Sequence, residues 1–221
     1  MRKSLALAAL LAATLVTSPV VHASPSVTSP GAHLVSTIMS GNGTPYLCTL
    51  GFIVRDIRGS QGALTAGHCN RDPESGTVLQ RTPNGDVMVG VYVRQEISPG
   101  FRDVGFVEFV PEVADVVTDI GGWHVSRVLT AKEIHTGMEL CKSGARTDLS
   151  CGPVVFVDAN EVRFRAWDDL GDSGSTVYTY LPDGTLGAVG TLYGHSDDAA
   201  GRIINVTLAD PVMRAWGLSL G

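Results

Sequence analysis

The sequence predicts an all-β fold that ends in a single helix. Its apolar residues fall into short runs separated by turn residues, and these runs form two sets along the chain. In the run 87–93, valine stands at every second position, as expected for a strand with one buried face. A long helical pattern is found only near the C-terminus.

The two sets of runs predict the strands and divide the chain. The first set comprises 48–54, 62–66, 86–93 and 104–110, and the second comprises 153–157, 161–165, 176–180, 186–193 and 202–207. The turn signals Asn84-Gly85, Asp158-Ala159-Asn160 and Pro182-Asp183-Gly184 separate consecutive runs. Residues 111–124 lie between the sets and are the predicted crossover. Near the end of the chain, Asp210 as a cap and Pro211 in the first turn predict a helix over about 210–218.

The N-terminal residues have the pattern of an export signal. Residues 1–23 begin with Arg2 and Lys3, continue with an apolar run over 5–16, and end in Val21-His22-Ala23, which suits a signal peptidase. The apolar run is too short to span a membrane, which takes ~20 apolar residues. Residues 24–46, rich in Ser, Pro, Gly and Thr, are predicted to be a lead-in segment. We therefore expect the mature protein to be secreted.

Charge and cysteine content narrow the class of protein further. The net charge is −6, which argues against a nucleic-acid or anionic-membrane partner. An even number of cysteines in an exported chain, namely Cys48, Cys69, Cys141 and Cys151, favours disulfides. Of the three possible pairings, Cys48 with Cys69 and Cys141 with Cys151 closes two short loops. Zinc is a weaker alternative because no Cys-x-x-Cys spacing is present.

The stretch Gly171-Asp172-Ser173-Gly174-Ser175 carries the candidate nucleophile. A serine between glycines can lie exposed on a tight turn, with backbone N–H groups converging beside it. The N–H groups of Gly171 and Ser173 would then stabilise an oxyanion. The alternative is an ordinary β-turn of small polar residues, so the interpretation requires a base and a carboxylate elsewhere in the chain.

His68 and Asp103 are the candidate base and its orienting carboxylate. His68 follows an apolar run in Thr65-Ala66-Gly67-His68-Cys69, where it would act as general base and then as general acid. Asp103 stands at the mouth of another apolar strand, and Asp86, which precedes a similar valine run, is its direct rival. A surface-loop histidine and an ordinary strand-end aspartate are the alternatives. The other histidines, His195 among them, lack such a setting.

With these residues in the order His, Asp, Ser, the chain resembles the chymotrypsin-like serine proteases, in particular the secreted bacterial branch of streptogrisins and alpha-lytic protease. The resemblance runs from about Leu47 to the C-terminus. The motifs that carry it are Leu64-Thr65-Ala66-Gly67-His68-Cys69, Asp103-Val104-Gly105-Phe106-Val107, Cys141-Lys142-Ser143-Gly144 and Gly171-Asp172-Ser173-Gly174.

Membership of this family would imply two perpendicular six-stranded antiparallel β-barrels, at about 47–115 and 125–208 within a protease domain of 47–221. The active site would lie in the cleft between the barrels, and the disulfides would be the two pairings given above. The resemblance also implies an internal ion pair between Asp172 and Lys142, the basic residue that directly follows Cys141.

The residues just before the candidate nucleophile depart from the family pattern. Many relatives have a third disulfide there, whereas this chain has Trp167-Asp168-Asp169-Leu170 and no further cysteine. Asp168 or Asp169 would attract a basic substrate side chain, or would be solvated loop acids. Trp167 would narrow the specificity pocket or pack beneath it. Tyr193-Gly194 is the predicted match to the strand that pairs with the substrate backbone.

Together, these observations predict a secreted, monomeric serine endopeptidase of protein or peptide substrates, with no metal or cofactor required. Ser173 would be the nucleophile, His68 the acid and base, and Asp103 the residue that orients His68. Two alternatives stay open. One is a protease-fold protein that binds peptide or protein without cleaving it, and the other is an esterase that uses the same acyl chemistry.

Overall fold

The computed structural model describes residues 27–39, 45–98, 102–111 and 115–221, and most of this part of the chain is β-structure. In chain order, its strands are β1 Val27–Thr28, β2 His33–Met39, β3 Pro45–Thr49, β4 Ile53–Arg55, β5 Gln61–Thr65, β6 Thr77–Thr82, β7 Gly85–Ser98, β8 Arg102–Phe109, β9 Asp115–Val116, β10 Val125–Val128, β11 Glu139–Gly144, β12 Asp148–Val157, β13 Glu161–Phe164, β14 Thr176–Tyr180, β15 Leu186–Asp198, β16 Gly201–Leu208 and β17 Ser219–Leu220. Helix α1 spans Ala209–Trp216, and short 3₁₀ helices span Gly67–Cys69 and Ala131–Glu133. The predicted all-β class with a C-terminal helix is confirmed.

Eight strands form the sheet of the N-terminal half, in the order β17-β4-β5-β8-β7-β6-β2-β3. All neighbouring strands in it are antiparallel. β3 and β4 lie near opposite ends of this order, yet only residues 50–52 separate them in the chain. The sheet therefore curls back on itself, as a barrel does.

The C-terminal half contains a closed barrel. Its sheet has the order β10-β15-β14-β11-β12-β13-β16, and a further pairing of β15 with β16 joins six of these strands into a ring. β10 adds to the outside of the ring, parallel to β15. The register of β15 against β16 shifts between Leu192 and Gly194, which is a bulge in the strand next to the candidate site.

Turn residues form the hairpins at the positions that the sequence predicts. Gly85 has φ of +116°, a conformation that favours glycine, at the turn between β6 and β7. Between β12 and β13, the Asp158 carboxylate accepts hydrogen bonds from the backbone N–H groups of Asn160 and Glu161, each at 2.8 Å. Such an Asx-type turn satisfies backbone donors that the ladder leaves unpaired.

Buried apolar residues form three clusters that match this architecture. One lies within the first sheet and includes Leu50, Ala63 and Val107. The second lies within the closed barrel, and the third joins both halves to α1, with Phe52 from the first half and Met213 from the helix. The two halves therefore share a core, which holds their facing surfaces together.

Part of the range 24–46, which the sequence predicts to be a lead-in segment, is β-structure. Strand β2 lies inside that range and pairs with both β3 and β6, so the first sheet begins before residue 47. Short β1 pairs with β9, which lies in the predicted crossover. The Ser, Pro, Gly and Thr content of 24–46 is typical of a loop, but Val35, Thr37 and Ile38 within it are residue types that strands favour.

The C-terminal helix starts one residue earlier than predicted and is capped differently. Leu208 is the N-cap, while Asp210 lies in the first turn and forms an ion pair with Arg214 at 2.9 Å. Gly217, with φ of +66°, ends the helix in a left-handed conformation. No helix in the described ranges is long and apolar enough to span a membrane. The predicted export signal lies outside the described residues.

Candidate active site

His68 lies in a 3₁₀ turn that directly follows β5. The turn spans Gly67–Cys69, and the disulfide between Cys69 and Cys48 ties it to β3. Gly67 and Cys69 are buried, whereas 29% of the His68 side chain is exposed. The backbone of His68 is therefore held in place by its buried neighbours, while its imidazole is accessible to solvent.

Asp103, near the start of β8, holds His68 through two hydrogen bonds. The carboxylate Oδ2 lies 2.7 Å from His68 Nδ1, and Oδ1 accepts the His68 backbone N–H at 2.9 Å. The backbone N–H of Asp103 in turn donates to Thr207 Oγ1 at 3.0 Å. This arrangement favours the tautomer with hydrogen on Nδ1, so that Nε2 can accept a proton.

Asp86, the rival carboxylate, lies elsewhere. It pairs with Arg81 at the hairpin between β6 and β7, with Nε of the guanidinium 3.0 Å from Oδ1. This hydrogen bond lowers the pKa of Asp86 below its ordinary value. Of the two candidates, Asp103 alone contacts His68 in the described contacts.

Ser173 lies on a tight turn where the two halves of the chain meet. Among residues 171–175, it is the one that is not buried. Its carbonyl oxygen accepts the backbone N–H of Thr49 from β3 at 2.7 Å and lies 3.9 Å from the sulfur of Cys69. Ser173 is therefore packed against the residue that follows His68.

Two N–H groups of this turn have no acceptor among the described residues. The other three amides in 171–175 donate to backbone carbonyls, but those of Gly171 and Ser173 do not. Gly171 has φ of +110°, and its carbonyl accepts the Thr49 hydroxyl at 2.8 Å. This hydrogen bond fixes the peptide group between Gly171 and Asp172. The flanking N–H groups of Gly171 and Ser173 have no acceptor among the described residues and can face the same side, as an oxyanion hole requires.

Asp172 is buried completely and makes an ion pair with Lys142, whose side chain is also fully buried. Lys142 Nζ lies 3.0 Å from Oδ2, as the predicted ion pair requires. Further donors surround the carboxylate: the Thr147 hydroxyl at 2.5 Å and the backbone N–H groups of Arg146, Thr147 and Asp169. Burial alone would raise the pKa of Asp172, but the hydrogen bonds from Thr147 and Lys142 and the charge of Lys142 lower it below its ordinary value.

The cysteines form the two disulfides of the nearest-neighbour pairing, Cys48 with Cys69 and Cys141 with Cys151. His68, Cys48 and Cys69 lie close enough together to suggest a metal site. Both sulfurs are bonded to each other, however, so neither is a thiolate, which is the form of cysteine that binds zinc.

The three predicted pocket residues before Leu170 have different surroundings. Asp168 is buried rather than solvated, and its Oδ2 lies 3.0 Å from Nδ1 of His195. Trp167 is 59% exposed, and the Arg202 guanidinium lies over its ring, 4.7 Å from the ring centroid. Asp169 points elsewhere, with Oδ2 3.8 Å from Arg146 Nε.

The Tyr193 hydroxyl is held by the buried carboxylate of Glu161. The hydroxyl donates to Glu161 at 2.9 Å, and Arg163 donates to the same carboxylate at 2.6 Å. Burial, followed by the hydrogen bond and charge of Glu161, raises the pKa of Tyr193. Gly194 borders open space, since a Cβ added there would meet no atom within 4 Å.

Sequence reasoning missed His195 and Arg202. His195 has no motif around it, and its partner Asp168 is distant in sequence, so only the folded chain brings the two together. Arg202 Nη1 donates to the backbone carbonyl of Asp168 at 2.7 Å. The one available sequence signal was Asp168-Asp169 before Gly171, because two adjacent carboxylates suggest that a positively charged side chain lies nearby.

No protein-family model and no curated protein matches the chain. Solved structures do match it. Nocardiopsis protease is 23% identical with a TM-score of 0.64, over 88% of this chain and 99% of its own. Thermobifida fusca protease A is 25% identical with a TM-score of 0.61, over 88% of this chain and 98% of its own. A serine protease specific for glutamic acid, described as using a histidine triad in substrate binding, is 22% identical with a TM-score of 0.66, over 88% of this chain and 100% of its own.

These similarities extend over nearly the whole length of each protease. They agree with the closed barrel, the curled sheet and the C-terminal helix described above. The chain has the fold of the bacterial chymotrypsin-like serine proteases, which its sequence motifs resemble.

Proposed function

We propose that the protein is a secreted serine endopeptidase with Ser173 as its nucleophile. The observation that carries the proposal is the pair of hydrogen bonds from His68 to Asp103, beside a turn on which Ser173 is accessible. The N–H groups of Gly171 and Ser173, which have no acceptor among the described residues, supply the oxyanion site. The two disulfides support an exported protein.

In the proposed reaction, Ser173 Oγ attacks the carbonyl carbon of the scissile peptide bond while His68 Nε2 takes the hydroxyl proton. The carbonyl oxygen becomes an oxyanion that accepts hydrogen bonds from the two free N–H groups. Each such donor contributes about 3 kcal/mol of transition-state stabilisation.

Collapse of this intermediate breaks the C–N bond, and His68 gives its proton to the leaving amine. The product is an acyl-enzyme on Ser173. Water then attacks the acyl carbon with His68 again as base, which releases the acid and restores the serine. Asp103 keeps its negative charge throughout and stabilises the imidazolium that forms twice in the cycle.

The test is cleavage of a denatured protein by the purified protein at pH 8. We expect Ser173→Ala to lose about 10⁶-fold in kcat, as removal of a serine nucleophile does in other proteases. The matched control is Ser126→Ala, since Ser126 is exposed on β10 and bonds only to Thr185 and the Leu186 carbonyl in the described contacts. It should cleave as the wild type does. Equal cleavage by wild type and Ser173→Ala would overturn the assignment.

Two outcomes would favour the alternatives. If wild type and Ser173→Ala bind peptides equally and neither cleaves them, the protein is a binding module with a protease fold. If wild type cleaves a peptide ester but not the matching amide, it is an esterase. We expect both ester and amide to be cleaved, because the oxyanion site serves both reactions.

A further inference from the structure

The cluster of Asp168, His195 and Arg202 has no part in the proposed chemistry, yet it flanks the proposed nucleophile on both sides. Asp168 lies three positions before Gly171 in the chain. On the other side, β15 runs next to the turn, because Leu192 exchanges backbone hydrogen bonds with Gly174 and Ser175 at 2.7 and 3.0 Å. His195 lies three residues further along β15.

The Asp168 carboxylate is already used within the protein. Its side chain is 3% exposed, Oδ2 bonds to His195, and Oδ1 lies 3.4 Å from Arg202 Nη1. A lysine or arginine side chain of a substrate would have to displace both partners and reach a buried oxygen. Asp168 therefore does not provide the basic-residue specificity that the sequence left open.

The hydrogen-bond donors that remain belong to Arg202 and His195. Arg202 uses Nη1 for Asp168 and Nε for Asp197, and no described residue accepts a hydrogen bond from Nη2. His195 uses Nδ1 for Asp168, and Nε2 has no described partner. In the imidazolium form, His195 can donate to Asp168 and to a ligand at the same time.

Both side chains are positioned in advance and reachable from solvent. The Arg202 guanidinium stacks on Trp167, and 20% of its side chain is exposed, as is 31% of the His195 side chain. Open space borders Gly194, which lies directly before His195. A planar group with two acceptor oxygens fits such donors well, because a carboxylate can bond both at once. An apolar side chain would instead desolvate them without compensation.

We propose that Arg202 and His195 recognise a carboxylate side chain on the substrate residue whose carbonyl is attacked. The preferred cleavage would then follow glutamate or aspartate. Asp168 is a positioning residue that orients both donors. This inference rests on the proposed endopeptidase function, because it assumes that the substrate lies across the turn of Ser173.

Binding to Ser173→Ala tests the recognition without requiring catalysis. The probes are acetylated tetrapeptides that are identical except for the last residue, which is Glu, Gln or Lys, so the terminal carboxylate is common to all three. Affinities are measured by calorimetry. We expect Glu to bind about tenfold tighter than Gln, as one charge-assisted hydrogen bond provides, and Lys to bind weakest.

Adding Arg202→Gln should bring the Glu-to-Gln affinity ratio close to one, and Arg202→Lys should restore part of it because the charge remains. The control is Arg127→Gln, which removes an arginine of β10 whose guanidinium pairs with Glu133. It should leave the ratio unchanged.

If Arg202→Gln does not fold, His195→Gln replaces it, and we again expect the ratio of the Glu and Gln affinities to fall. A ratio near one in Ser173→Ala itself, tightest binding of Lys, or an unchanged ratio in the folded Arg202→Gln or His195→Gln protein would overturn the inference.

Wild-type cleavage separates this inference from the proposed function. Preferred binding of Glu peptides without cleavage of any peptide would reject the endopeptidase and keep the recognition site. Cleavage after apolar or basic residues, with Ser173 required, would keep the endopeptidase and reject the site.

Discussion

Lys142 Nζ lies 3.0 Å from Asp172 Oδ2, and both side chains are completely buried. Asp172 directly precedes Ser173, and its carboxylate also accepts backbone N–H groups from 146, 147 and 169. The pair therefore fixes the turn that presents the proposed nucleophile. A change in its charge should affect both stability and turnover.

We expect Lys142→Met to destabilise the protein by about 3–5 kcal/mol, because a buried carboxylate would lose its counter-charge. Turnover should fall as well, since the turn before Ser173 would lose its support. Chemical denaturation and peptide hydrolysis measure the two effects. Lys132→Met, at an exposed lysine in the 3₁₀ helix Ala131–Glu133, is the control. Unchanged stability and turnover in Lys142→Met would show that the ion pair has no such role.

Acid should remove the contribution of Asp172 to stability. The fold lowers the pKa of this carboxyl below its ordinary 3.8, so its stabilisation is complete above that pH and is lost as the pH falls through the lower folded value. The free energy of unfolding of the wild type should therefore drop more steeply below pH 3.8 than that of Asp172→Asn. Asp119→Asn, at a more exposed carboxyl, should follow the wild type. Parallel curves for wild type and Asp172→Asn would contradict the prediction.

Asp103→Asn should lower kcat by about 10⁴-fold, because an amide no longer favours the tautomer in which His68 Nε2 is the base. KM should change little. The matched control is Asp86→Asn, since Asp86 pairs with Arg81 on an exposed hairpin and should leave kcat intact. Steady-state kinetics on one peptide substrate compares all three proteins. A larger loss in Asp86→Asn than in Asp103→Asn would mean that the wrong carboxylate is assigned.

Gly174→Ala should destabilise the protein by more than about 3 kcal/mol, because overpacking adds to an unfavourable backbone conformation. Its φ is +96°, and a Cβ would lie 2.1 Å from the Thr49 carbonyl oxygen and 2.3 Å from Thr65 Oγ1. Gly184→Ala separates the two causes: its φ is +81°, but its Cβ would meet nothing within 4 Å. It should cost only about 1–2 kcal/mol, the cost of a Cβ in a left-handed conformation. Thermal unfolding measures the difference, and equal losses would mean that Gly174 is needed for its φ alone.

Much of the fold could be predicted because alternation and turn residues are local signals. The run 87–93 became part of β7, and the hairpin turns occur where glycine and aspartate predict them. β11 was missed for a physical reason. It contains Lys142, and a lysine gives no local signal of a buried strand; only the family resemblance implied its pairing with Asp172.

In the candidate site, the residues within short motifs could be predicted from the sequence, whereas the pairings between distant residues could not. The motifs around His68 and Ser173 are compact, so the sequence alone could name them. The choice between Asp103 and Asp86 and the pairing of Asp168 with His195 depend on contacts between distant strands. No local pattern encodes such contacts.

The measurement that tests the central claim most directly is labelling of the purified protein at pH 8 with a fluorophosphonate, an electrophile that modifies activated serines rapidly. Mass spectrometry of the digested product then locates the adduct. We predict a single adduct on Ser173 in the wild type, no adduct in Ser173→Ala, and a strongly slowed reaction in His68→Ala. Absence of labelling in the folded wild type, or equal labelling of Ser173→Ala, would contradict the assignment of Ser173 as an activated nucleophile.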